Sequence, residues 1–145
     1  MPMKEIRRSA IVEHSAAEMY RLVDDVESYP QFLPWCRAVR VERVAGKRHA
    51  TLTVGLGAIR QSFTTVNENR PGEAIDLRLI EGPFKRFKAA WRFKPLSESA
   101  CEIAYTMHYE FSSRVVGKLL EPLFDQIADT MVDAFTRRAD ELHPR

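Results

Sequence analysis

Apolar residues recur along this chain at two different spacings, and the switch between them divides it into three regions. Residues 4–13 carry Ile6, Ala10 and Val12 among polar neighbours and predict an edge strand. Ser15 followed by Glu18 is a capping-box pair, and Met19, Leu22, Val23 and Val26 follow at helical spacing, so a short helix is expected from Ser15 to about Asp25. Residues 37–111 then alternate with period two. Val39, Val41 and Val44 mark one strand, Ala50, Leu52, Val54 and Leu56 a second, and Phe63 and Val66 a third. Ile75, Leu77 and Leu79 follow a Pro71-Gly72 turn, then come Phe87, Ala89, Trp91 and Phe93, and last Cys101, Ile103, Tyr105, Met107, Tyr109 and Phe111. Six short alternating runs predict an antiparallel sheet with one wet and one dry face.

The helical period returns at residues 114–142, where Leu120, Leu123, Phe124, Ile127, Met131, Ala134, Phe135 and Leu142 form one stripe. Pro122 interrupts that stripe and predicts a kink or restart near residues 117–122. One helix cannot cover six or seven strands of a flat sheet. The sheet must therefore curve around it, with Gly55-Leu56-Gly57 a candidate bend. The expected class is α+β, a curved antiparallel sheet gripping a long C-terminal helix with an apolar space between them.

Residues 30–36 fit neither period. Pro30, Phe32, Leu33, Pro34 and Trp35 crowd together, and two prolines four apart exclude a continuous helix or a central strand there. The segment is too apolar for a solvated loop. Three roles stay open for it: a gate over the apolar space, a membrane-touching lip, or a rigid plug closing the core.

Composition narrows the classes. A chain of 145 residues is expected to form one domain, residues 1–145. Its net charge of +2 is too small to imply nucleic acid, and DNA binding is not expected. Apolar runs are far too short to span a bilayer, and residues 1–8 leave no room for a secretory or organelle leader, so a cytoplasmic protein is expected, peripheral at the inner membrane at most. Cys36 and Cys101 have no metal-ligand spacing and read as buried reduced thiols, so no metal is expected.

The run from Val23 to Cys36, the Gly82-Pro83-Phe84-Lys85 element, the Trp91-Arg92-Phe93 strand and the tail Ala134-Phe135-Thr136-Arg137-Arg138-Ala139 stand in order along nearly the whole chain. Together they resemble the coenzyme Q-binding and ribosome association toxin branch of the START-like superfamily, also labelled polyketide cyclase/dehydrase. The resemblance implies a helix-grip fold with an apolar tunnel. It implies a polyisoprenoid quinone, ubiquinone above all, as bound ligand and no required cofactor. The toxin members imply a rival role, binding the large ribosomal subunit and blocking subunit association.

Candidate sites follow from parity. Phe63, Leu79, Phe87, Trp91, Met107 and Tyr109 on the dry face, with Phe124, Ile127, Met131 and Phe135 on the helix, either line a ligand tunnel or pack on each other. Gln61, Thr65, Tyr105 and Tyr109 could orient a polar head or serve as satisfied core groups. Arg86, Lys88, Arg92 and Lys94 share the outer face of one strand. They suit anionic lipid or ribosomal RNA phosphates, or else they pair across strands with Glu102, Glu110 and Asp76. Arg37, Arg40, Arg43, Lys47 and Arg48 read as solvated surface. Chemistry finds little footing: the four histidines are scattered, no nucleophile motif occurs, and Glu81 alone is an inner-face carboxylate by alternation. Cyclase or dehydratase activity is thus the third reading, behind a hydrophobic-ligand carrier and a ribosome-binding regulator.

Overall fold

A computed structural model describes residues 3–144, so Met1 of the leader argument lies outside the described residues. Among the described residues, seven strands and two α-helices carry the fold. They are β1 (Lys4–Val12), α1 (Ala16–Asp24), β2 (Cys36–Val44), β3 (Lys47–Leu56), β4 (Ile59–Arg70), β5 (Ala74–Glu81), β6 (Phe84–Ser97), β7 (Ala100–Phe111) and α2 (Arg114–Leu142). The strands form one antiparallel sheet in the order β1-β7-β6-β5-β4-β3-β2. β1 and β2 are its edges, and α2 lies across the concave face, the helix-grip arrangement expected.

β7 shows the rule most cleanly. Cys101, Ile103, Tyr105, Met107, Tyr109 and Phe111 are all buried, and each residue between them is only half-buried. Ser15 caps α1 as expected, accepting a hydrogen bond from the Glu18 amide at 3.1 Å. Ser113 does the same for α2 through the Val116 amide at 3.2 Å.

Several expectations need correction. α2 is one helix of 29 residues, about 44 Å long, with Pro122 inside it and no restart. Pro122 deletes the bond to the Lys118 carbonyl, but both residues are exposed, so water can satisfy that carbonyl. Leu142 leaves the apolar stripe and is 49% exposed, while Ala128 and Ala139 join it. Val44 has the opposite parity to Val39 and Val41 and is exposed. Gly57 supplies the positive φ of the β3–β4 turn rather than a bend. Register shifts occur at Cys36/Ala38, Thr64/Thr65, Phe84/Arg86 and Pro95/Ser97, and bulges of this kind bend the strands that carry them. The shift at Thr64/Thr65 also breaks the alternation that put Glu81 inside, and Glu81 is exposed.

Residues 26–35 are tied down. Val26–Gln31 form a 3-10 helix that includes Pro30. Leu33 and Trp35 are buried, Phe32 is half-buried, and only Pro30 and Pro34 of the expected gate are exposed. The Leu33 and Trp35 side chains turn inward, which favours the plug among the three roles. The Trp35 indole N–H donates to Thr130 Oγ1 at 3.0 Å, and its carbonyl accepts from the Gly55 amide at 2.9 Å. Arg138 stacks over the Phe32 ring at 5.2 Å. The segment plugs one end of the core against α2.

Candidate functional site

Sheet and helix do not close on each other everywhere. An apolar cavity lies between α1, the 3-10 helix, β3–β7 and α2. Phe63, Phe87, Trp91, Met107, Phe124, Ile127 and Met131, all expected tunnel residues, line it. Leu79, Tyr109 and Phe135 do not. Leu79 packs toward Gly82, where a Cβ would come within 2.7 Å of Phe63 Cβ, so that turn closes the sheet end without room to spare. Tyr109 sits in an aromatic cluster with Phe84, Phe111 and Phe124, ring centroids 5.2–6.0 Å away. Phe135 meets Tyr29, Phe32 and Trp91 edge-on at 5.2–5.3 Å and completes the plug.

The free volume is about 60 Å³. That is room for a few water molecules, far below the ~300–1,000 Å³ of a pocket that holds a drug-sized ligand. A larger ligand enters only if side chains move. The wall that can yield is made of half-buried residues, Leu52, Phe63, Leu77, Phe87 and Met131.

Polarity grades along the cavity. Three cross-strand pairs of β3 and β4 face it in succession: Arg48 opposite Asn67, Ala50 opposite Thr65, and Leu52 opposite Phe63. One end is polar and the other aromatic. Arg48 is the main surprise. The run of charges around it suggested solvated surface, yet it shares the inner parity of Ala50 and Leu52, its side chain is 22% exposed, and it lines the cavity. Its Nη2 donates to Asp24 Oδ1 at 2.6 Å and its Nη1 to the Asp24 carbonyl at 3.3 Å. Asn69 Nδ2 donates to the same carboxylate oxygen at 2.6 Å. This clasp joins the end of α1 to the β3–β4 hairpin. Asn67, not singled out by the sequence reading, is 8% exposed and its Oδ1 accepts from Thr65 Oγ1 at 3.0 Å. The signal that would have found it is its parity with Thr65 and Phe63 on β4.

The tyrosines behave differently. Tyr29 donates to the Val23 carbonyl. The Tyr105 hydroxyl finds only Met107 Sδ, at 3.4 Å, a weak acceptor. Burial pushes the pKa values of Tyr29 and Tyr105 well above the ordinary phenol range, so both remain O–H donors. Gln61 belongs to a separate surface hollow with Arg40 and Ser62. Among the described residues Arg48 is the one charged residue on the cavity lining, and no carboxylate or imidazole of theirs lines it. Cys36 and Cys101 are free thiols, both pushed up to about 11 by burial.

On the outer face, Arg86, Lys88, Arg92 and Lys94 are exposed and share one side of β6. Arg92 is paired with Asp76 at 2.9 Å. Arg86 stands opposite Glu110, Lys94 opposite Glu102, and Lys88 opposite His108. The stripe is interleaved with acidic neighbours. No helix among the described residues is long and apolar enough to cross a membrane.

A profile of the family described as polyketide cyclase / dehydrase and lipid transport matches residues 12–136. Over 139 residues the chain is 43% identical to the ribosome association toxin RatA of Pseudomonas aeruginosa, covering 95% of this chain and 96% of that protein. It is also 28% identical over 146 residues to the mitochondrial coenzyme Q-binding protein COQ10 homolog B of Xenopus laevis, covering 97% of this chain and 60% of that one. Among solved structures, the Zhui aromatase/cyclase of Streptomyces sp. R1128 superposes with a TM-score of 0.84 at 17% identity, over 96% of this chain and 94% of that one. At that identity the likeness speaks for the fold alone.

Proposed function

The chain belongs to the polyketide cyclase / dehydrase and lipid transport family, and we propose that within it this protein binds a polyisoprenoid quinone, ubiquinone in the first instance, without chemistry. It carries the quinone at the inner membrane in support of respiratory electron transfer. One observation carries the reading: the space between sheet and helix is apolar over most of its length and polar at one end. That is the shape of a site for an amphiphile with a long apolar tail and a small polar head. The ligand itself is the only small molecule the reading requires; no cofactor or metal enters it. Burial of isoprenoid surface would supply the affinity, at about 25 cal/mol per Å² before ordering costs. The lining offers no carboxylate or imidazole for acid–base work, which supports binding over catalysis. A relative named as a coenzyme Q-binding protein adds to it.

The small free volume belongs to the account. The quinone enters by displacing the half-buried side chains of Leu52, Phe63, Leu77, Phe87 and Met131, of which Met131 is the most adaptable. Organic extraction and mass spectrometry of protein purified from a quinone-producing host tests this. Ubiquinone at close to one equivalent, lost on a bulky substitution at Ala89 or Met131, is the expected result. Protein that carries no quinone and takes up none when it is added contradicts the reading.

A second reading is favoured by the name of the 43% identical relative, a ribosome association toxin. In it the chain binds the large ribosomal subunit through the outer face of β6. Charge reversal at Arg86, Lys88 and Lys94 would then abolish co-sedimentation with that subunit and leave ligand binding intact. Unchanged co-sedimentation would dismiss the stripe as the contact and leave it as cross-strand pairing.

A further inference from the structure

The polar end of the cavity is unbalanced, and the imbalance specifies the head group it suits. Arg48 has five N–H donors and gives two to Asp24. Asn67 has its Oδ1 taken by Thr65, while no acceptor among the described residues meets its Nδ2, although the residue is more than nine-tenths buried and lines the cavity. Tyr105, equally buried, spends its hydroxyl on a thioether. The uncommitted groups are donors. Asn67 Nδ2 belongs to a residue on the cavity lining, so a ligand that supplies an acceptor there gains a hydrogen bond in an apolar setting, where it is stronger than in water.

Charge adds a second constraint. The Arg48 guanidinium is already neutralised by Asp24 at 2.6 Å in a half-buried setting. An anionic head would meet that carboxylate at short range and lose its own hydration, with no uncompensated cation to offset either cost.

We propose that the Arg48–Asn67–Thr65 end of the cavity is a recognition site for an uncharged head group rich in hydrogen-bond acceptors, with the ligand's apolar tail directed toward Phe63 and Phe124. Carbonyl- and ether-bearing heads fit; fatty-acid carboxylates and heads that only donate, such as an alkylammonium, do not. The inference rests on the hydrophobic-ligand reading above and adds the chemistry and direction of the bound molecule.

Trp35 and Trp91 are the only tryptophans in the chain, and both line the cavity, so intrinsic fluorescence reports its occupancy. The probes are decylubiquinone with an acceptor head, decanoate with an anionic head, and decylbenzene with none. Decylubiquinone is expected to bind about tenfold or more tighter than decylbenzene, with decanoate weakest. Asn67→Leu weakens decylubiquinone about tenfold, while decylbenzene, which offers no acceptor, binds the variant at least as well and shows it folded. Asp24→Asn, which removes the carboxylate but keeps the size, strengthens decanoate about tenfold. If decanoate binds the unaltered protein best, or if Asn67→Leu leaves the preference for decylubiquinone as it was, the head-group assignment is overturned and the hydrophobic cavity stands. If none of the three probes perturbs the fluorescence, both readings fall together.

Discussion

The β6–β7 half of the sheet and the β3–β5 half face the same helix but are packed differently. On β6 and β7, inward residues such as Phe93, Ile103, Met107, Tyr109 and Phe111 are 0–3% exposed. Phe84, Tyr109, Phe111 and Phe124 form a continuous aromatic cluster. On β3–β5, Leu52, Phe63, Leu77 and Leu79 remain half-buried, and the inward set includes Arg48, Thr65 and Asn67. The first half is a packed core. The second is a wall with room to move. The difference teaches where binding energy and stability are kept apart in this fold: the helix is anchored on one half, and the ligand is admitted by the other.

Truncation on each side tests that division most sharply. Phe124→Ala, at 1% exposure among four aromatic rings, should destabilise the protein by about 3–5 kcal/mol in urea unfolding. Leu77→Ala on the looser wall should cost only about 1–2 kcal/mol, because part of its surface is already unpacked. Equal losses would mean the two halves are packed alike.

Next in size is the plug. Trp35→Phe keeps most of the ring and removes the N–H bond to Thr130, so a loss of about 1 kcal/mol is expected. A far larger loss would make residues 30–36 part of the main core rather than its stopper.

Two smaller effects probe buried groups, one in the packed half and one shared between β2 and β7. The Tyr109 hydroxyl is buried and has no hydrogen-bond partner among the described residues, and its pKa is pushed up to about 12, by burial first. Tyr109→Phe should therefore leave stability unchanged or raise it by up to about 1 kcal/mol; a clear loss would reveal a partner. The two buried thiols give a pH signature. Cys36 and Cys101 rise from 9.0 to about 11 on folding, through burial. The folded state therefore holds their protons more tightly than the unfolded chain does. Their contribution is complete below pH 9 and is lost as pH climbs toward 11. Denaturation midpoints measured across pH 8–11 should fall through that window, and the fall should shrink in a Cys101→Ala variant.

The fold was legible because the period-two alternation is unbroken along β7 and holds from Phe87 to Phe93 on β6, and α2 keeps one stripe for most of its length. What was not legible depended on single residues that shift a register. The irregularity opposite Thr64/Thr65 leaves Ile80 as an extra residue on β5 and turns Glu81 to solvent, and nothing in the Leu79-Ile80-Glu81 run marks that bulge. Leu79, Tyr109 and Phe135 have the same parity or stripe as the residues that line the cavity. Their exclusion depends on how far along the element each one sits, which periodicity does not encode. Arg48 was misread because a cation in a basic run looks solvated. Its inward aim is explained only by Asp24, 24 residues earlier, waiting at the end of α1. Pro122 does not restart the helix, because its exposure, which makes the missing hydrogen bond tolerable, is a tertiary property that the sequence does not show.

The central claim is that a hydrophobic ligand enters between the β3–β5 wall and α2. Methyl NMR during titration with decylubiquinone tests it most directly. The account predicts that the Leu77, Met107 and Met131 signals shift together and saturate near one equivalent, while exposed Ile11 and Val115 stay still. Shifts confined to the exposed methyls, or none at all, would contradict it.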